Sequence, residues 1–234
     1  MNLTNSIRAV IFDLDGTLLA SASEISIALE RTFGDLGLPS LPQKAVEALI
    51  GKGVRVLVEK AVAQAGASGV DIDAAVEKFE AHYAQTVGTA AVLYPGVKDG
   101  LHHLKAAGFP LAVVTNKPRF FTLRLLERAE VSDLFDSIVA GDDGFPRKPR
   151  GEMLAAACEH MGTDPVSTLM VGDSDNDILA ARAAGCPVWC VPYGYNEGKG
   201  PEALACDLLV ASVAQVAEKL VSDTTFPAAK KSGV

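Results

Sequence analysis

Cysteine is scarce in this chain: four residues among 234. Cys158, Cys186, Cys190 and Cys206 form no C-x-x-C pair and show no zinc-finger spacing, which excludes a dithiol redox motif and a thiolate metal site of the usual kind. Cys186 and Cys190 flank the apolar stretch PVW, and small, reduced, packed thiols are the reading for all of them. Histidine is equally thin. His82, His102, His103 and His160 lie inside helical patterns without a second ligand at fixed spacing, so they read as solvated or packed side chains. Basic charge is also short, with 21 Lys and Arg against 29 Asp and Glu and a net charge of −8. That balance argues against nucleic acid or an anionic membrane as the main partner. No run approaches the roughly 20 apolar residues that span a bilayer, and MNLTNSIRAVIFDLDG lacks the apolar stretch and cleavage site of a signal peptide. A cytoplasmic protein is expected, monomer or homodimer, with neither nucleic acid nor membrane as partner. No internal repeat is present.

What the chain does have is apolar content: 49%, enough for a sizeable core over a length that suits one large domain or one domain with an insert. Short apolar runs recur as IRAVIFD, PLAVVTN, FDSIVAG, STLMVGD and PVWCVPY, each bounded by Gly, Pro, Asp or Asn. Such runs suit strands buried on both faces of a parallel sheet. Between them lie amphipathic patterns, GVKDGLHHLKAAG, RFFTLRLLERAE, GEMLAAACEHMG and NDILAARAAG, with Gly108, Gly162 and Gly185 as helix stops. Alternating strand and helix predicts a doubly wound, mainly parallel α/β domain. One region breaks the alternation. From about Ser21 to Gly88 the patterns are helical throughout, SASE at Ser21 reads as a capping box, and a helical insert after the first strand is expected. The division is therefore 1–19 and 91–224 for the α/β core, 20–90 for the insert, and 225–234 for a frayed tail.

Polar residues end each strand: Asp13-Leu14-Asp15-Gly16-Thr17, Thr115-Asn116-Lys117 and Gly172-Asp173-Ser174-Asp175-Asn176-Asp177, with Lys148-Pro149 in a later loop. In open parallel sheets ligands bind at the carboxyl ends of strands, so these groups should converge on one crevice. Clustered carboxylates call for a hard cation, and Mg²⁺ held by few protein oxygens plus a substrate phosphate fits. A lysine and hydroxyl donors suit phosphate oxygens. Asp175 reads as a cap for the helix that follows and is kept apart from the site.

The chain resembles the haloacid dehalogenase-like phosphohydrolases, and their phosphoglycolate phosphatase branch in particular. The resemblance rests on FDLDGTL, YPGVKDGLHHLKAAGFPLAVVTNKP, RKP, MVGDSDNDILAARAAGCPV and PYGYNEG, in order over nearly the whole chain. It implies a Rossmann-like core and a Mg²⁺-dependent phosphatase acting on a small phosphorylated metabolite through an aspartyl phosphate. Asp13 would be the nucleophile and Asp15 the acid and then base. Asp13, the Asp15 carbonyl and Asp173 would hold the metal, with Asp177 bound to it directly or one step removed. Thr115, Lys148 and backbone N–H groups of Asn116 and the Gly16 turn would hold phosphate. The insert would be a cap that closes over the crevice, and its IGKGVR loop would offer Lys52 or Arg55 to the carboxylate of 2-phosphoglycolate. Sugar phosphates, nucleotides or pyrophosphate as substrates, phosphomutase activity, and a catalytically silent binding module stay open. Two positions depart from the family pattern. Ala20 replaces a common acid, and Arg150-Gly151 follows Lys148-Pro149, so the next helix should start loosely with Arg150 at the surface.

Overall fold

Ala9–Phe12 (β1) buries all four side chains, as a strand covered on both faces must. The computed structural model describes residues 6–223, so the tail expected over 225–234 lies outside the described residues. After β1 come a two-residue strand, Leu19–Ala20 (β2), and four helices: Ala22–Leu36 (α1), Gln43–Glu47 (α2), Val54–Gln64 (α3) and Ile72–Thr86 (α4). The chain returns through Val92–Leu93 (β3) and continues as Val97–Ala106 (α5), Leu111–Val114 (β4), Arg119–Arg128 (α6), Ser137–Val139 (β5) and Glu152–Met161 (α7). It ends with Thr168–Gly172 (β6), Asp175–Ala184 (α8), Val188–Cys190 (β7), Leu208–Leu209 (β8) and Val213–Asp223 (α9).

Six strands form one parallel sheet in the order β5-β4-β1-β6-β7-β8. The five expected strands are all in it. The sixth, β8, is a two-residue edge strand that the sequence reading missed because its side chains are only partly covered. Side chains alternate between two cores, as the period of a strand requires. Val10 and Phe12 of β1 join Leu111, Val113, Leu169 and Val171 on one face, whereas Ile11 joins Ala112, Val114 and Met170 on the other. Helices α5, α6 and α9 cover the first face through residues such as Leu101, Leu125 and Val216. Helices α7 and α8 cover the second through Met153, Leu154 and Ile178. This is the doubly wound arrangement.

The helical insert joins the core through paired linkers. β2 and β3 run antiparallel, Leu19 opposite Leu93 and Ala20 opposite Val92, a ribbon too short to show as a period in sequence. Beyond it α1 packs along α4, and α4 in turn along α3. Glu24 is fully buried at this junction; it accepts from the Tyr83 hydroxyl at 3.0 Å and from the Gly88 and Ala91 N–H groups at 2.9 and 3.1 Å. Glu24 thus holds the return linker and is unavailable to close a capping box. Helix α1 does begin after Ser21, but that residue has helical backbone angles and makes no cap bond. The expected box is therefore absent, and another group takes its place, as described below. At α7 the loose start is present as expected: Gly151 makes no side-chain cap bond, and Arg150 is exposed.

Two helical glycines test this packing with opposite signs. A Cβ at Gly100 in α5 would sit 2.7 Å from the Val213 backbone of α9, whereas one at Gly34 in α1 would meet nothing within 4 Å. Alanine gains about 1 kcal/mol over glycine in a helix, but overpacking costs about 1–3 kcal/mol. Thermal unfolding should therefore show Gly34→Ala raising Tm and Gly100→Ala lowering it.

Candidate active site

The chain leaves β1 through a tight turn whose geometry admits glycine. Gly16 has φ +90°, and a Cβ there would lie 2.5 Å from Asp173 Oδ2. The turn delivers Asp13 and Asp15 to the same cavity, each buried. Lys148 Nζ donates to Asp13 Oδ1 at 2.7 Å, to Asp177 Oδ1 at 2.7 Å and to the Val114 carbonyl at 2.8 Å, so all three of its N–H groups have acceptors. The backbone of Lys148 is itself clasped by Asn116, whose Oδ1 accepts the Lys148 N–H and whose Nδ2 donates to the Lys148 carbonyl, both at 2.9 Å. The same Nδ2 donates to the carbonyl of Gly51 in the insert at 2.9 Å. Thr115 lines the cavity, its Oγ1 accepting the Lys117 N–H at 3.2 Å.

Asp173 and Asp177 follow β6. Asp177 Oδ2 accepts from the Ser174 N–H and hydroxyl at 3.1 and 2.7 Å, and Ser174 returns the capping box at the start of α8. Ser174 therefore caps this helix, not Asp175, which is ion-paired with Lys199 at 2.5 Å away from the cluster. Asp173 accepts from the Thr17 hydroxyl at 2.9 Å and the Tyr195 N–H at 2.7 Å. Oxygens of Asp13, Asp173 and Asp177 all lie within 4.8 Å of one another. Burial, then the charges of Asp177 and Asp13, push the Asp173 carboxyl well up. Burial likewise pushes Asp13 up to about 7, with Asp177 and Asp15 adding to it against the pull of Lys148. For Lys148, burial disfavours the ammonium, but Asp13 and Asp177 outweigh it and hold the group above the ordinary lysine range. Three crowded carboxylates sharing one ammonium are short of positive charge, and their hard oxygens fit a divalent cation.

Asp15 has a partner the sequence reading passed over. Lys117 Nζ donates to both its oxygens at 2.9 and 2.8 Å, the Ser21 hydroxyl donates to Oδ1 at 2.5 Å, and the ammonium stands 4.9 Å over the Tyr83 ring. The signal was present in TNK, where a lysine directly follows two site residues at a strand end. Ser21 is free for this contact because the Tyr195 hydroxyl accepts the N–H groups of Ser21 and Ala22, each at 2.9 Å, and so caps α1 in its place.

The insert roofs the cavity with Ile25, Ile50, Val54, Leu57 and Phe79, enclosing about 40 Å³, room for a few water-sized groups. Neither predicted cation of the IGKGVR loop enters it. Lys52 pairs with Glu197 of the core at 2.6 Å, and Arg55 lies on the exposed face of the insert with Asp73 and Glu59. Neighbouring acids on the surface, invisible as spatial neighbours in sequence, compete for both.

Residues 10–191 match the model of the haloacid dehalogenase-like hydrolases. The chain is 42% identical to a phosphoglycolate phosphatase of Nitrosospira multiformis over 228 residues, 96% of this chain and 100% of the relative. It is 37% identical to the phosphoglycolate phosphatase of Escherichia coli, covering 91% and 92% of the two chains. The crystal structure of a predicted phosphoglycolate phosphatase from Haemophilus somnus superposes with a TM-score of 0.85 at 32% identity, over 91% of this chain and 97% of that one.

Removing the Tyr195 hydroxyl leaves two N–H groups at the start of α1 without their acceptor. Tyr195→Phe should cost about 1 kcal/mol, the usual worth of an N-cap, read as a lower Tm by differential scanning fluorimetry with the fold otherwise retained.

Proposed function

Because this chain belongs to the haloacid dehalogenase-like hydrolases, we propose that it hydrolyses phosphate monoesters, 2-phosphoglycolate foremost, with Asp13 as nucleophile and Asp15 as acid and base. One observation carries the reading: Asp13 stands at the end of the central strand, open to the cavity, held by Lys148 and grouped with Asp173 and Asp177. The relatives bearing that activity in their names cover almost the whole chain. The Asp13 carboxylate attacks phosphorus to form an acyl phosphate as the ester P–O bond breaks, and Asp15 in its protonated form gives its proton to the leaving alkoxide. The Asp15 carboxylate so formed takes a proton from the water that hydrolyses the acyl phosphate. Lys148 opposes the protonation of Asp13 that burial favours and holds the carboxyl in place. Thr115 and Asn116 line the cavity where phosphate oxygens would lie. Asp13, Asp173 and Asp177, with the Asp15 carbonyl, would hold Mg²⁺, which when bound masks the repulsion between an anionic nucleophile and a dianionic phosphate. The apolar roof limits the access of bulk solvent to this exchange.

Asp13→Asn should abolish release of phosphate from 2-phosphoglycolate, because a neutral amide cannot form the acyl phosphate, while circular dichroism stays that of the parent. Turnover within tenfold of the parent would refute the nucleophile.

Metal binding has a readout independent of turnover. A ligand that binds the folded state alone stabilises it by about 2.7 kcal/mol at a hundred times its Kd. Mg²⁺ should raise Tm of the chelator-treated parent, and Asp173→Asn should lose that increment. The metal-free Tm of this variant should not fall, because burial already disfavours the Asp173 charge. An equal Mg²⁺ increment in both proteins would remove Asp173 from the metal site.

A further inference from the structure

We propose that Lys117 is the specificity-determining residue of this site. It binds a carboxylate carried on the same carbon as the ester oxygen of the substrate, and in doing so exchanges that carboxylate for Asp15. The inference deepens the phosphatase reading above and rests on it.

A carboxylate enters a partly enclosed, largely apolar cavity at a cost of several kcal/mol unless a cation meets it. Among the described residues that line the cavity, Lys117 is the one that carries positive charge. Lys148 lies beneath with all three donors committed to Asp13, Asp177 and the Val114 carbonyl. The insert contributes no cation to the roof, since Lys52 and Arg55 are paired elsewhere. The Lys117 ammonium lies at the wall between core and insert, against the Tyr83 ring on one side and Asp15 on the other. Its position beside Asp15 defines the geometry of the ligand. Asp15 serves the ester oxygen, so an anion that reaches Lys117 must be attached close to that oxygen. A carboxylate on the ester-bearing carbon meets this condition, and a charge further along a sugar or nucleotide does not. The small volume under the roof favours the same short acids.

The pair also restrains Asp15. Both of its oxygens accept from Lys117, and Oδ1 accepts from Ser21 as well. Asp15 can turn to the leaving oxygen only by giving up these bonds. An arriving carboxylate competes for the same ammonium and compensates it, so the second anion of the right substrate loosens Asp15 at the moment it is needed. A monoester without that anion leaves Asp15 held.

Two measurements test this on the full chain with Mg²⁺. In the first, Lys117→Met is compared with the parent on 2-phosphoglycolate and on ethyl phosphate, which differs by lacking the carboxylate. The kcat/KM for 2-phosphoglycolate should fall roughly ten- to hundredfold, the worth of a hydrogen-bonded charge pair, with KM rising. The loss on ethyl phosphate should be several times smaller, and Lys117→Arg should recover part of the 2-phosphoglycolate rate. Equal losses on both substrates overturn the assignment. The second measurement needs no substitution and stands if Lys117→Met does not fold. Formate and methyl phosphate together reproduce the two anions of 2-phosphoglycolate, so formate should raise the rate of methyl phosphate hydrolysis by the parent. Formate that leaves the rate unchanged or lowers it overturns the exchange. A parent that hydrolyses 2-phosphoglycolate while failing these tests overturns the role of Lys117 alone, whereas a parent inactive on every monoester overturns the phosphatase reading and this inference with it.

Discussion

The Lys148 ammonium lies between Asp13 and Asp177, 2.7 Å from each, and without it the two carboxylates would face one another in a site walled off from water. Removing one partner of a buried pair leaves an uncompensated charge that costs several kcal/mol, so the geometry of the lysine constrains everything around it. Asn116 fixes the Lys148 backbone from both sides and reaches the insert through Gly51. Asp177 is fixed by Ser174 at the start of α8. Asp13 is therefore oriented by three separate stretches of chain that meet at the carboxyl end of the sheet.

The loop over residues 193–198 extends this network to the insert. Gly194 packs directly on Asp173, where no Cβ fits. Next to it, the Tyr195 N–H bonds Asp173 and its hydroxyl caps α1. Glu197, in a left-handed conformation at φ 51°, takes Lys52. One short loop thus touches a carboxylate of the acidic cluster, the first helix of the insert and the loop that follows α2. The start of the insert and Asp173 are joined through Tyr195, which gives the PYGYNEG motif a physical reason beyond resemblance.

How much of this was legible in the sequence varies with the range of the interaction. Five of the six strands of the main sheet and the helices α1 to α8 could be read, because buried parallel strands and amphipathic helices leave periods in composition. Helix α9, at Val213–Asp223, was not singled out. Strands of two residues leave none, and β2, β3 and β8 were missed for that reason. The capping box at Ser21 shows a different failure. The local pattern was correct, but Glu24 and Ser21 each had a better partner far along the chain, in Tyr83 and Asp15. At α8 the miss was local: the adjacent Ser174 supplies the cap, and Asp175 pairs with Lys199.

At the site, the sequence by itself determined which chemical groups gather. Asp13, Asp15, Thr115, Lys148, Asp173 and Asp177 end strands or follow them, and a parallel sheet brings its carboxyl ends together whatever the side chains do. Which cation meets which anion was decided by tertiary structure. Lys52, Arg55 and Lys117 are alike as letters, each a long flexible base near the crevice. Their partners, Glu197, Asp73 and Asp15, lie 145, 18 and 102 residues away. Coulomb attraction acts through space and falls with distance and solvent screening, so only the folded arrangement assigns one of the three to the cavity.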